Sequence, residues 1–297
     1  MSGRQPDHYP REIGSARGYA APAMPGVSLI VPTYERVAAL EDTLPSLLAA
    51  EGVDEVLFVD DGSTDGTEQF LRGVSDPRVR VVVQPRQLGL PAARNRGLAE
   101  STGEWIVFGE DDVRFPRDYV PILLEEAAAH DAEIVGAPFL LLLEGEDALP
   151  AALAAARARA VESIRLDQVE TFPARALRTP FFSALALVHR SVIDAGVRFD
   201  EGYRGNAYRE ETAFFVEAVR RGFTTILTPR TVHYQVGAWQ GGAHTTSYFV
   251  YELWTIRNNW RFLARHGRWL HEQGLIDHPL RTGTLFMIER VRRAFRS

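Results

Sequence analysis

None of the 297 residues is cysteine. A disulfide scaffold, a thiol nucleophile and a cysteine-based zinc or iron–sulfur site are therefore excluded. Absent cysteine fits a reducing compartment, so cytoplasmic location is the expectation. Long apolar runs are also missing. The longest are Phe139–Leu143 and Phe181–Val188, the second broken by Ser183, whereas a spanning helix needs about 20 such residues. There is no excess of positive charge, since 33 Lys and Arg stand against 39 Asp and Glu, for a net charge of -6. Nucleic acid is thereby disfavoured as a partner, because its binders are usually basic. No repeat of solenoid length is visible. What is there is a core-forming composition, 45% hydrophobic and 24% charged. That suffices for one large domain or two intimate ones.

Residues 1–26 are rich in Gly, Pro, Arg and Ala, lack the apolar stretch of a signal peptide and read as a flexible tail. Beyond them, short apolar β-branched runs alternate with segments of helical spacing. Strands are expected at Val27–Val31, Glu55–Asp60, Val79–Val83, Trp105–Phe108 and Ala132–Ala137. Helices are expected at Val37–Ala50, Gly66–Gly73, Leu90–Ala99 and Arg117–His130. The alternation predicts an α/β fold with a mainly parallel central sheet and helices on both faces. It stops near Glu144. The second half is less regular: a helix over Ala148–Arg165, a strand over Pro180–Val188, a loop over Ala195–Ala207, a helix over Glu210–Arg221, a strand over Phe223–Leu227 and a long helix over Thr245–His266. We read 27–144 as one half of a domain, 145–266 as the half that extends its sheet, and 267–297 as a helical extension.

In open α/β sheets, ligands bind outside the carboxyl ends of the strands. Polar residues collect there in three clusters. Pro32-Thr33-Tyr34-Glu35-Arg36 follows the first strand, Asp60-Asp61-Gly62-Ser63-Thr64-Asp65-Gly66 the second, and Glu110-Asp111-Asp112 the Trp105–Phe108 strand. Any one alone reads as turn chemistry; three on one edge read as a site. Adjacent carboxylates repel unless a cation or donor compensates them, and hard divalent cations take such ligands alongside substrate phosphates. No Walker lysine and no GxGxxG follow the first strand. What remains is a metal-assisted nucleotide-diphosphate site of another kind.

These residues carry a resemblance. Val27-Ser28-Leu29-Ile30-Val31-Pro32-Thr33-Tyr34 resembles the opening strand of family 2 glycosyltransferases with the GT-A fold. Val59-Asp60-Asp61-Gly62-Ser63-Thr64-Asp65-Gly66-Thr67 is similar to their nucleotide-binding loop. Leu88-Gly89-Leu90-Pro91-Ala92-Ala93-Arg94-Asn95-Arg96-Gly97 resembles their next segment, and Glu110-Asp111-Asp112 falls where the family has its DXD-type metal motif. The resemblance implies transfer of a sugar, with inversion, from a nucleotide-diphosphate sugar to an acceptor hydroxyl on a glycan, a lipid-linked molecule or a small molecule. It implies donor contacts from Pro32, Tyr34, Glu35, Asp60, Asp61, Arg94 and Asp111. It also implies a Mn2+ or Mg2+ ion on Asp112.

In the second half the match is weaker. Arg209-Glu210-Glu211-Thr212 occupies the family's base position, with Glu211 as the implied general base in place of the usual Asp. A pair of acids at a helix start is also what the helix dipole favours. His233 falls where the family often completes its metal site, and Arg257 with Asn258 where it approaches the diphosphate. Gly237, Gly241 and Gly242 around Trp239 read as a loop that closes over the donor. Leu285, Ile288, Val291 and Phe295 recur at helical spacing among arginines, and a basic amphipathic helix of this kind can lie on an anionic membrane. Two other readings stay open. A sugar-1-phosphate nucleotidyltransferase lacks support after the first strand, and a catalytically silent nucleotide-sugar-binding protein draws support from the Glu at position 211.

Overall fold

All seven residues of Val27–Thr33 (β1) are buried, so this strand is covered on both faces, as a parallel strand inside an α/β layer must be. In chain order there follow α1 (Val37–Ala49), β2 (Glu55–Asp60), α2 (Thr67–Arg72), β3 (Val79–Val83), α3 (Leu90–Glu100), β4 (Trp105–Phe108), β5 (Val113–Arg114), α4 (Tyr119–His130), β6 (Ile134–Gly136) and β7 (Phe139–Leu141). After these come α5 (Leu149–Ala158), β8 (Leu177–Arg178), β9 (Ala186–His189), α6 (Arg190–Asp194), α7 (Glu210–Arg220), β10 (Thr225–Leu227), β11 (His233–Gln235), α8 (Tyr248–Glu272) and α9 (Pro279–Ala294). The computed structural model describes residues 26–142, 149–166, 171–236 and 247–294. The expected tail (but for Gly26), the boundary at Glu144, the glycine loop around Trp239, and Phe295 lie outside the described residues.

The main sheet runs β3-β2-β1-β4-β9-β6-β10-β8. The pairs β1–β2, β1–β4, β2–β3 and β6–β10 are parallel, while β9 is antiparallel to both β4 and β6 and β8 is antiparallel to β10. A small sheet, β5-β11-β7, stands beside it. Alternate residues of β1 enter two cores. Ile30 packs with Ala93 and Leu98 of α3, Phe214 of α7 and Phe262 of α8. Leu29 and Val31 pack with Leu40 and Leu47 of α1 and Val120 and Leu123 of α4. The expected mainly parallel sheet with helices on both faces is thus the fold observed.

Two expectations over the second half need correction. The helix expected to reach Arg165 ends at Ala158. Val161 instead exchanges main-chain hydrogen bonds with the 172–174 segment, its N–H reaching Phe172 O at 2.9 Å and its carbonyl accepting from Ala174 N at 2.9 Å, as suits a β-branched residue. The strand expected from Pro180 begins only at Ala186. Pro180 has no N–H to offer a ladder, and the N–H of Phe181 goes to Thr179 Oγ1 at 3.1 Å. That stretch is buried through its rings, with Phe182 lying on Gly136, where an added Cβ would meet the ring at 2.4 Å.

Candidate active site

The carboxyl ends of β1, β2 and β4 open on one cleft of about 280 Å³, whose walls include Pro32, Tyr34, Asp61, Asp111 and Asp112. Its two nearer loops are tied to each other. Glu35, held at φ +53°, donates its N–H to Ser63 Oγ at 2.9 Å and accepts from Thr64 N at 2.7 Å. Asp60, wholly buried, accepts from Ser63 N at 3.0 Å and so turns the chain at the strand end. Asp61 sits in the cleft wall. Its carboxylate accepts from Leu88 N and Gly89 N, both at 2.8 Å, which fixes the opposite lip. Burial pushes its pKa up, with these hydrogen bonds opposing. Of the expected donor contacts, then, Pro32, Tyr34, Asp61 and Asp111 face the cleft, whereas Glu35 and Asp60 build the loops around it.

The acidic turn after β4 is held from three sides. Thr43 of α1 donates to Asp111 O at 2.8 Å, and Val236 N donates to Asp112 O at 2.8 Å. The buried Arg36 guanidinium stands 3.7 Å from the Asp111 carboxylate and 3.6 Å from that of Asp112. Burial and then the charge of Asp112 raise the pKa of Asp111, and Arg36 opposes them. Among the described residues, Arg36 stands near both carboxylates, and an oxygen donor set such as Asp111 with Asp112 fits a hard divalent cation that also takes phosphate oxygens.

Arg94 lies elsewhere than expected. Its guanidinium is completely buried, donates to Glu210 Oε1 at 2.5 Å and Glu110 Oε1 at 2.9 Å, and lies over the Phe199 ring at 5.3 Å. It therefore braces the start of α7 against the acidic turn and does not line the cleft. Glu210 is 1% exposed. Burial pushes it up to about 8, with Arg94 opposing. Arg257 is exposed, lies over Trp254 at 5.0 Å and forms no part of the cleft wall. Its neighbour Asn258 is the buried one, donating to Arg204 O at 2.7 Å beneath the 205–206 segment of that wall.

A second chamber of about 220 Å³ shares Leu90, Glu110, Asn206 and Gln235 with the cleft and is lined further by Ser183, Tyr208, Glu210, Glu211 and His233. Glu211 is half-buried there, and no hydrogen bond or ion pair of its carboxylate is found among the described residues. His233 faces the chamber from β11, on the same side of the strand as Gln235. Its ring nitrogens stand 3.3 Å from Tyr119 Oη and 3.2 Å from Ser183 Oγ, and burial lowers its pKa to about 3.

Residues 28–178 match the family model described as glycosyl transferase family 2. The chain belongs to glycosyl transferase family 2. The succinoglycan biosynthesis protein ExoO of Rhizobium meliloti is 35% identical over 112 residues, 37% of this chain and 32% of that protein. The putative teichuronic acid biosynthesis glycosyltransferase TuaG of Bacillus subtilis is 35% identical over 104 residues, 34% of this chain and 41% of that protein. The matched segment therefore spans 32% to 41% of these relatives' length. Among solved structures, the Pyrobaculum calidifontis mannosyltransferase in complex with GDP-Man and Mn2+ superposes with a TM-score of 0.60 at 20% identity, over 88% of this chain and 68% of that one. TarS (1–349) of S. aureus in complex with UDP-GlcNAc gives 0.58 at 16% identity, over 84% and 74%. Both likenesses bear on the fold.

Within this family member, sequence reasoning missed Arg36, Asn206, Tyr208 and Gln235. Arg36 was visible as the one cation in the first loop. Gln235 was marked only by its two-residue offset from His233.

Proposed function

We propose that the chain transfers a sugar from a nucleotide-diphosphate sugar to an acceptor hydroxyl with inversion. The observation that carries this is that the two chambers adjoin, sharing Leu90, Glu110, Asn206 and Gln235. A cleft edged by Asp61, Asp111 and Asp112 borders, at Glu110 and Gln235, a space where Glu211 offers a carboxylate with no hydrogen bond or ion pair among the described residues. Tyr34 and the Pro32 backbone flank the base, and Asp61 accepts from it. A carboxylate is an acceptor only, which suits an imide N–H. Glu211 takes the proton of the acceptor hydroxyl as its oxygen attacks the anomeric carbon. The bond from that carbon to the diphosphate breaks with the electron pair leaving on the diphosphate, so one in-line displacement inverts the centre. A divalent ion, Mn2+ or Mg2+, bound through Asp112 supplies charge neutralisation for the leaving diphosphate. We place His233 in the chamber wall and not on the ion, because its ring is already engaged by two hydroxyls. The ligands of the two solved neighbours, GDP-Man with Mn2+ and UDP-GlcNAc, support this donor class.

The test is turnover of a panel of nucleotide-diphosphate sugars with Mn2+, comparing the natural chain with Glu211→Gln. Release of nucleotide diphosphate that falls by about 100- to 10,000-fold in the variant, with donor binding kept, is the expected result. A chain that binds donors and never turns one over would instead be a silent binder.

A further inference from the structure

Among the described residues, nine large apolar side chains are exposed, and all but Leu88 and Leu141 lie on α8 or α9. The two helices run antiparallel. Arg290 Nε meets Glu252 Oε2 at 2.6 Å at one end, and Gly267 abuts Pro279 at the other, where an added Cβ would meet the ring at 2.9 Å. The Glu252–Arg290 pair sets the register, so that Phe249 and Leu253 of α8 lie level with Val291 of α9. Phe249 is 62% exposed, Leu253 51% and Val291 41%. On α9, Arg281, Leu285, Ile288 and Arg292 recur at the i, i+4, i+7, i+11 spacing of one helical stripe, and all four are exposed.

The same pair is basic in a chain that is acidic. The helices hold four arginines each against Glu252, Glu272 and Glu289 in total, with Arg261 and Arg265 paired to Asp200 and Arg281 to Asp277, while the whole chain carries -6. Here Arg281 and Arg292 bracket Leu285 and Ile288 along the stripe itself. That mixture suits a boundary where apolar side chains enter the acyl layer and guanidinium groups meet phosphates. No helix among the described residues is long and apolar enough to cross a membrane. Phe286 on the adjoining side of α9 stacks on Tyr208 at 5.5 Å between ring centroids, and Tyr208 lines the chamber that holds Glu211.

We propose that the outward face of the α8–α9 pair docks on an anionic lipid surface and holds the chamber beside it. This stands apart from the sugar-transfer reading, because docking needs no turnover. The full chain is sedimented with vesicles of phosphatidylcholine alone and of phosphatidylcholine with phosphatidylglycerol. Binding to the anionic vesicles only, weakened by salt, is expected. Arg292→Gln should weaken it about fivefold, the equivalent of about 1 kcal/mol for one arginine at a charged surface. Ile288→Glu should abolish it, and Phe249→Glu, at a side chain 62% exposed, should do the same with an unchanged melting curve. Absence of binding, or equal binding to both vesicles, overturns the proposal. So does light scattering that shows a dimer lost in Ile288→Glu, because a second copy would then be what covers this face.

Discussion

Glu210 and Glu211 are neighbours in sequence and opposites in environment. Glu210 is sealed against Arg94, whereas Glu211 faces the chamber half-buried. Glu210→Ala removes one of the two carboxylates on the buried Arg94 guanidinium and leaves it Glu110 alone, and since breaking a buried pair costs up to about 3–5 kcal/mol, a fall in Tm is expected. Glu211→Gln should leave the Tm unchanged while turnover is lost. A thermal melt run beside the turnover assay separates the two, and equal melting of both variants would remove Arg94 as a brace. His233 gives a pH signature. Its folded pKa of about 3 lies below its unfolded value near 6.5, because burial disfavours the cation. The unfolded chain therefore binds the extra proton between these values. Stability is full above pH 6.5 and declines as pH falls toward 3, by about 2 kcal/mol at pH 5 if about 1.4 kcal/mol accompanies each pH unit. Urea titrations should show this acid slope reduced in His233→Gln; an identical slope in both proteins would locate the proton elsewhere. At this scale Tyr34, Asp61, Asp111 and Asp112 were legible as cleft residues because each follows a strand end, and Glu211 through the family resemblance. Arg94 was not. Its role depends on Glu210, 116 residues away, and no local spacing encodes that meeting.

The elements legible in the sequence were those long enough to show a period. β1 to β4 and the helices between them follow the alternation of apolar runs, turns and helical spacing. β5, β7, β8 and β11 have two or three residues each, too few to display a period of two, and so the small sheet that presents Gln235 and His233 could not be anticipated. The end of α5 at Ala158 is another tertiary outcome, since 172–174 captures Val161. Helix α3 shows how closely an element is seated. A Cβ on Gly97 would stand 2.3 Å from Ile30 Cγ2 on β1. Replacing a mid-helix glycine with alanine ordinarily gains about 0.5–1 kcal/mol, whereas overpacking a core costs about 1–3 kcal/mol. The second effect wins because Ile30 is fully buried between two neighbouring strands. Gly97→Ala should therefore lower the Tm. A higher Tm would mean that α3 can slide on the sheet, and with it Arg94.

For the molecule as a whole, the cleft draws its walls from distant parts of the chain, residues 32–112 and 205–235. Strand ends of β1, β2 and β4 supply one wall, while Gly205, Asn206 and Gln235 supply the other. A donor that touches both walls should hold them together and stabilise the entire fold. By mass action a ligand at 100 times its dissociation constant adds about 2.7 kcal/mol. The charge balance at the mouth decides when that gain appears. The carboxylates of Asp111 and Asp112 stand at the mouth with Arg36 near both, and adjacent carboxylates repel an incoming diphosphate unless a cation compensates them. A nucleoside without phosphates does not depend on that balance. Uridine diphosphate or guanosine diphosphate should therefore raise the Tm with Mn2+ and lose most of the gain in a chelator, while the matching nucleoside gives the same small shift in both. Asp112→Asn should reproduce the effect of the chelator on the diphosphate and leave the nucleoside untouched. If the diphosphate stabilises the chain equally with and without the ion, the acidic turn is balanced by Arg36 alone, and charge neutralisation of the leaving group falls to protein side chains.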